Sequence, residues 1–217
     1  MQALHLVCAE FGLKDIRERR LKVATFADLN DPFEFYAAAV GDREIRRKLR
    51  LARNSVASRV GILCFSRHWH NPVLWSHYAD RHRGICLGFE VADEIIAPVV
   101  YAGRRFHLRP DPLKVSGAPD AESVKKLMLT KYAHWKYESE LRSFVPLEPA
   151  EAEQDLFYAE FGPRMKLTTV IVGAHATIAR ADVLQALGSL ASEVDVMKAR
   201  LAFRSFRVVP QRNRELW

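Results

Sequence analysis

The 217-residue chain has only three cysteines, Cys8, Cys64 and Cys86, with no paired spacing. That count excludes a disulfide-stapled secreted scaffold and fits reduced, buried thiols in a cytoplasmic protein. Ten glycines and ten prolines, without a period, exclude collagen-like and low-complexity chains. The longest apolar runs, Val60–Phe65 and Val170–Val172, fall far short of the roughly 18 residues that span a membrane, so no membrane partner is expected. Met1–Ala9 has no cationic start and meets Glu10, so no signal peptide is expected. There is no Gly-x-Gly-x-x-Gly, no phosphate loop and no Gly-x-Ser-x-Gly elbow. His68, His70, His77 and His82 crowd together without a cysteine pair or a His-Glu-x-x-His pattern, so no metal is expected.

What the chain does hold is material for a core, with 49% hydrophobic residues at a mean hydropathy of −0.14. At roughly 150 residues per domain, this is one domain spanning 1–217. Its net charge of +7 is uneven: residues 43–59 carry Arg43, Arg46, Arg47, Lys48, Arg50, Arg53 and Arg59 against Glu44 alone, seven cations and one anion. Ile45, Leu49, Ala52 and Val56 recur at helical spacing, which makes 36–59 a basic amphipathic helical segment. Arg43, Arg46, Arg47, Arg50 and Arg53 cluster opposite the apolar face. Such a face is the footprint of a nucleic-acid partner, or simply a solvated helix surface. No aromatic residue interleaves with these arginines, which speaks against base stacking there.

The pattern predicts strands over Ala3–Cys8, with His5 inside, Leu21–Phe26, Val60–Ser66, Gly84–Glu90, Glu138–Val145, Thr168–Val172 and Phe203–Val209. Helices are expected over Phe11–Arg20, within 67–80, after a cap at Asp120, and over Arg180–Leu190. Residues 102–119, rich in Gly, Pro and Arg, read as a long surface loop. Without regular βαβ alternation the fold class is α+β, a mixed, split β-sheet flanked by helices, with the His5 and Glu140 strands near neighbours.

The strongest local signal is Trp135-Lys-Tyr137-Glu138-Ser-Glu140-Leu-Arg142. On a strand, Glu138, Glu140 and Arg142 share a face. One carboxylate paired with arginine stays ionised while its neighbour is pushed upward, an arrangement suited to charge stabilisation or base catalysis and equally to a salt-bridged outer face. Leu74-Trp75-Ser76-His77-Tyr78 places aromatics where they could line a pocket for a flat ring, or pack on the core. Asn30-Asp31-Pro32-Phe33-Glu34 is a turn with an aromatic anchor.

These segments in order, Leu29-Asn-Asp-Pro-Phe-Glu34, Cys64-Phe-Ser66, Leu74-Trp-Ser-His-Tyr-Ala-Asp80, Gly84-Ile-Cys-Leu-Gly-Phe-Glu90, Trp135-x-Tyr-Glu-x-Glu-x-Arg142 and Val170-Ile-Val-Gly173, resemble the bacterial domain-of-unknown-function 2971 family over roughly residues 4–209. More distantly the chain resembles the ADP-ribosyltransferase superfamily, although no glycine follows His5. That second resemblance implies an ADP-ribosyltransferase-like fold acting on NAD as substrate, in a toxin or phage-defence setting. It implies Glu140 as the catalytic carboxylate with Glu138 and Arg142 beside it. It also implies His5 holding the ribose, Tyr78 or Trp75 stacking on nicotinamide, Ser66 or Tyr78 as the middle motif residue, and the arginine helix attracting a nucleic-acid acceptor. The alternative is a non-catalytic nucleic-acid-binding module. A third reading is a hydrolase or nuclease holding a divalent cation with Asp31, Glu34, Glu138 and Glu140.

Overall fold

The computed structural model describes residues 1–107 and 120–217, so most of the expected long loop, 108–119, lies outside the described residues. The chain opens with β1 (Gln2–Val7), α1 (Ala9–Glu18), β2 (Arg20–Val23), β3 (Ala38–Ala39), α2 (Arg43–Ala57) and β4 (Val60–Ser66). It continues through α3 (Pro72–Tyr78), β5 (Ile85–Val91), β6 (Ala97–Pro98), β7 (Val100–Ala102), β8 (Phe106–His107), α4 (Ala121–Met128) and β9 (Thr130–Tyr132). It closes with β10 (Glu140–Pro146), β11 (Phe157–Glu160), β12 (Met165–Val172), α5 (Arg180–Leu187), β13 (Asp195–Leu201) and β14 (Val208–Pro210).

Eight strands form one sheet in the order β14-β13-β12-β5-β1-β4-β10-β6. Its one parallel pair is β12 with β13, joined through α5, and this makes the sheet mixed. The class is α+β, as expected. The sheet itself is continuous rather than split, and the remaining described strands make two-stranded ladders. Side chains alternate across it as the strand period requires. From β5, Ile85, Leu87, Phe89 and Val91 join the main apolar cluster with Ile16 of α1 and Val183 of α5, while Cys86 faces the other way, toward Trp75 of α3. On that second face a further cluster gathers Phe26, Phe35, Leu49 of α2, Ile62 of β4 and Leu127 of α4. The candidate site lies on this face.

Local chemistry explains the helix starts. Asp42, Asn71 and Asp120 each accept a hydrogen bond from a backbone N–H of the first turn, Ile45, Val73 and Ser123 in turn. Two strand expectations need correction. Glu138 is not on a strand: it ends a 3₁₀ turn, and Ser139, at φ 45°, turns the chain before β10 begins at Glu140. Phe203–Arg207 is likewise not a strand. It is the turn between β13 and β14, and its apolar residues imitate a strand pattern while standing in solvent. The β13 strand itself was not expected.

Between α3 and β5 the chain makes an unusual hook. Asp80, Arg81 and His82 take φ values of 42°, 54° and 69°, three successive non-glycine residues in the left-handed region. Gly84 follows, and a Cβ there would stand 2.1 Å from the Val7 carbonyl oxygen and 2.9 Å from Ala79 Cα. Both are backbone atoms of packed elements and cannot step aside. Gly84→Ala is therefore expected to destabilise the fold by about 1–3 kcal/mol. The measurement is denaturant unfolding, with a lowered midpoint and an unchanged slope.

Candidate functional site

The site is built outward from Arg142. Strands β4 and β10 pair antiparallel with Glu140 opposite Ser66, Arg142 opposite Cys64 and Phe144 opposite Ile62, so these six residues share one face. Arg142 has no exposed surface. Its guanidinium donates from Nε to Glu140 (2.7 Å), from Nη1 to Glu34 (2.9 Å) and to the Met128 carbonyl (2.7 Å), and from Nη2 to Glu34 (2.5 Å) and Glu140 (3.1 Å). Five donors thus find acceptors, which is what a buried guanidinium requires. The Asn30–Glu34 turn supplies Glu34 and the end of α4 supplies Met128, so Arg142 ties three parts of the chain together.

Lys131 of β9 forms the second tier. Its ammonium lies 2.6 Å from Glu138, 3.2 Å from Glu140 and 3.8 Å from Glu34. The other Glu138 oxygen accepts a short hydrogen bond from the Tyr78 hydroxyl, which in turn accepts from the Asn30 side-chain amide at 2.6 Å. Ser66 Oγ donates to the Glu138 carbonyl at 2.6 Å and fixes the turn that presents it. Two cations therefore face three buried carboxylates, and one carboxylate is in surplus.

The three carboxylates are not equivalent. Burial pushes Glu140 upward, but the charge and hydrogen bonds of Arg142, with Lys131 behind, overcome this and hold it below the usual glutamate range. Glu138 ends above that range, because burial outweighs Lys131 and Tyr78, and Glu140 adds repulsion. Burial and the Glu138 charge drive the Tyr78 hydroxyl upward, so it stays a donor. The Cys64 thiol is likewise raised by burial and by Glu140, which keeps it protonated and unreactive.

In front of this network lies a cavity of about 210 Å³ lined by His5, Asn30, Cys64, Ser66, Tyr78, Lys131, Glu138 and Glu140 together with leucines of β1 and α3. His5 Nδ1 sits 3.0 Å from the Cys64 carbonyl, which can only accept, so Nδ1 carries the proton. Burial lowers its pKa and the ring is a neutral imidazole with Nε2 as acceptor. His5 and Glu140 thus share one cavity, on strands that flank β4.

The structure gathers His5, Ser66, Tyr78, Glu138 and Glu140 on the cavity wall and puts Arg142 behind it. Trp75 is different. It is fully buried among Leu4, Ile171 and Val208, and its Nε1 donates to the Trp69 carbonyl, so the expected stacking on nicotinamide is corrected. Among the arginines, Arg53 is half-buried with its guanidinium over Phe26 and Tyr36, and so leaves the exposed face. Arg43, Arg46, Arg47 and Arg50 line a separate open cleft of about 860 Å³, together with Arg105, Phe33 and Tyr36. Of the four residues of the divalent-cation reading, Glu34 and Glu140 are engaged by Arg142 and Lys131, and Glu138 by Lys131 and Tyr78. Asp31 accepts from the Phe33 N–H through Oδ1, and its buried Oδ2 has no hydrogen-bond partner among the described residues. Sequence reading missed Lys131 altogether and gave Glu34 a different role. A lysine in Thr130-Lys-Tyr132 carries no local signal, because only the sheet brings it to the carboxylates.

No family model, no curated protein and no solved structure matches the chain, and the two resemblances drawn from the sequence rest on its own residues.

Removing Arg142 leaves three buried carboxylates opposite a single lysine. Arg142→Met is expected to cost about 3–5 kcal/mol, measured by denaturant unfolding. The pH dependence has a definite sign. Because the folded pKa of Glu140 is depressed, its stabilisation is complete above the usual glutamate range and is lost as pH falls through the lowered value. Glu140→Gln should therefore flatten the acid limb of the stability curve.

Proposed function

We propose that the cavity cleaves the N-glycosidic bond of NAD and transfers the ADP-ribosyl group, with Glu138 as the carboxylate that faces the ribose. One observation carries this reading. Three buried carboxylates share two cations, Glu138 is the one that Arg142 does not touch, it lies on the cavity wall, and its partners Tyr78 and Lys131 are side chains whose hydrogen bonds a substrate hydroxyl can replace. Glu140 is tied to Arg142 from both oxygens, so its part is to position the network rather than to meet the ribose.

When the C1′–N bond breaks, its electron pair goes to the pyridinium nitrogen and nicotinamide leaves neutral. Positive charge develops on the ribose, and an ionised carboxylate held in a low-dielectric wall stabilises it most at the transition state. An acceptor hydroxyl or amine, or water, then attacks C1′ and passes its proton to Glu138. The raised pKa of Glu138 makes it a better proton acceptor than an ordinary glutamate. A cavity of about 210 Å³ lies below the usual size for a whole cofactor, so it takes the nicotinamide-ribose end and leaves the adenylate outside.

A second reading, a non-catalytic nucleic-acid-binding module, is favoured by the arginine cleft. Arg43 and Arg50 there have no ion-pair partner among the described residues, and Phe33, half-exposed beneath Arg105, supplies the aromatic surface that α2 lacks.

The two readings separate in a nicotinamide-release assay with and without nucleic acid. Glu138→Gln keeps shape while removing charge, and is expected to lower the rate on the order of 10²–10⁴-fold with NAD affinity nearly unchanged. The wild-type rate should rise with pH through a value above the usual glutamate range, and that limb should vanish in the variant. No nicotinamide release by the wild type, with no thermal stabilisation at millimolar NAD, would falsify the enzyme reading.

A further inference from the structure

Independently of the carboxylate cavity, we propose that the turn joining β13 to β14 is a stacking contact for single-stranded nucleic acid. Phe203 and Phe206 at its tip are 91% and 98% exposed, an arrangement that water alone does not reward. They alternate with Arg200, Arg204 and Arg207, and residues 200–207 contain no acidic side chain. Interleaved rings and guanidinium groups are the chemistry that binds a strand, with bases on the rings and phosphates on the cations. The arginine face of α2 lacks this alternation.

The tip is held in place before any partner arrives. The Ala202 N–H donates to the Arg207 carbonyl at 2.9 Å, and the Arg207 N–H donates to the Ser205 carbonyl at 2.9 Å. Below it, the Val208 N–H donates to the His70 carbonyl at 2.9 Å and His70 Nδ1 donates to the Val208 carbonyl at 2.7 Å. The Phe203 and Phe206 rings are therefore presented on a braced hairpin. The occupant follows from Arg200, whose guanidinium lies 4.7 Å from the centre of the Phe203 ring. A base stacking on the opposite ring face leaves this cation beside the sugar-phosphate backbone. Inserting the same ring into lipid would drag the guanidinium toward hydrocarbon at considerable cost.

The test is fluorescence anisotropy with labelled oligothymidylate, its duplex with oligodeoxyadenylate, and phosphatidylserine vesicles as a separate arm. Wild type is expected to prefer the single strand. Phe203→Ala/Phe206→Ala should weaken that binding on the order of tenfold for each ring lost, with the salt dependence unchanged. Arg204→Gln/Arg207→Gln should instead lower the salt slope by roughly 1–2. These side chains are exposed, so thermal unfolding should match wild type in both variants. The proposal is overturned if wild type fails to bind oligothymidylate at low salt, or if the double phenylalanine variant binds as wild type does. It is also overturned if the two rings matter only for vesicles, or if Arg43→Gln/Arg46→Gln/Arg50→Gln alone abolishes strand binding. None of these outcomes involves nicotinamide release, so this proposal and the enzyme reading fail separately.

Discussion

A guanidinium with no exposed surface, placed in the middle of a β-strand, has to find an acceptor for every donor or the fold cannot carry it. Arg142 meets that demand with Glu34, Glu140 and the Met128 carbonyl, and each acceptor lies on a different stretch of chain. The Asn30–Glu34 turn is held against the sheet and the end of α4 is held above it, while the bonds to Glu140 stay within β10. Replacing the whole network by apolar groups of equal volume could leave a protein as stable, since buried ion pairs barely repay their desolvation. The network is therefore better explained by what it holds in place than by the stability it adds.

What it holds in place is an imbalance. Arg142 and Lys131 face three carboxylates, and geometry decides which one Arg142 does not hold. Glu140 lies next to Arg142 on the strand and takes two of its donors. Glu138 arrives by a separate 3₁₀ turn and reaches only Lys131 and the Tyr78 hydroxyl. The carboxylate that Arg142 does not hold thus borders the cavity beside Glu140, near the His5 ring and a Tyr78 phenol whose pKa is raised. Under the proposed function, positive charge developing on a substrate would be stabilised here and a proton would have an acceptor. That is the physical content of the glycosidic-cleavage proposal.

Much of this was legible in the sequence, and the limits were physical. Val60–Ser66 is a continuous apolar run and gave its strand to the residue, and Asp120 announced a helix start through its side-chain cap, whereas the basic helical segment expected from residue 36 becomes helical only at Arg43, after the Asp42 cap. Glu138, Glu140 and Arg142 stood out as a group from spacing alone. Their ranking did not, because it depends on Ser139 reversing the chain and on Lys131 arriving from another strand. Trp75 was misplaced since an aromatic next to polar neighbours fits a pocket wall and a core equally well until its burial is known. The turn at 202–207 imitates a strand because its phenylalanines have strand propensity, although they lack a packing partner.

Glu138 is expected to keep its proton to a higher pH than an ordinary glutamate, while Glu140 loses its proton early. Carboxyl-carbon NMR of protein labelled with ¹³C at the glutamate side chains measures this directly as pH is varied. The expected result is one resonance titrating above the usual glutamate range and absent from Glu138→Gln, with a second titrating below that range and absent from Glu140→Gln. If every glutamate titrates at or below its ordinary value, or if the high-titrating resonance survives in Glu138→Gln, Glu138 is not the carboxylate that keeps its proton.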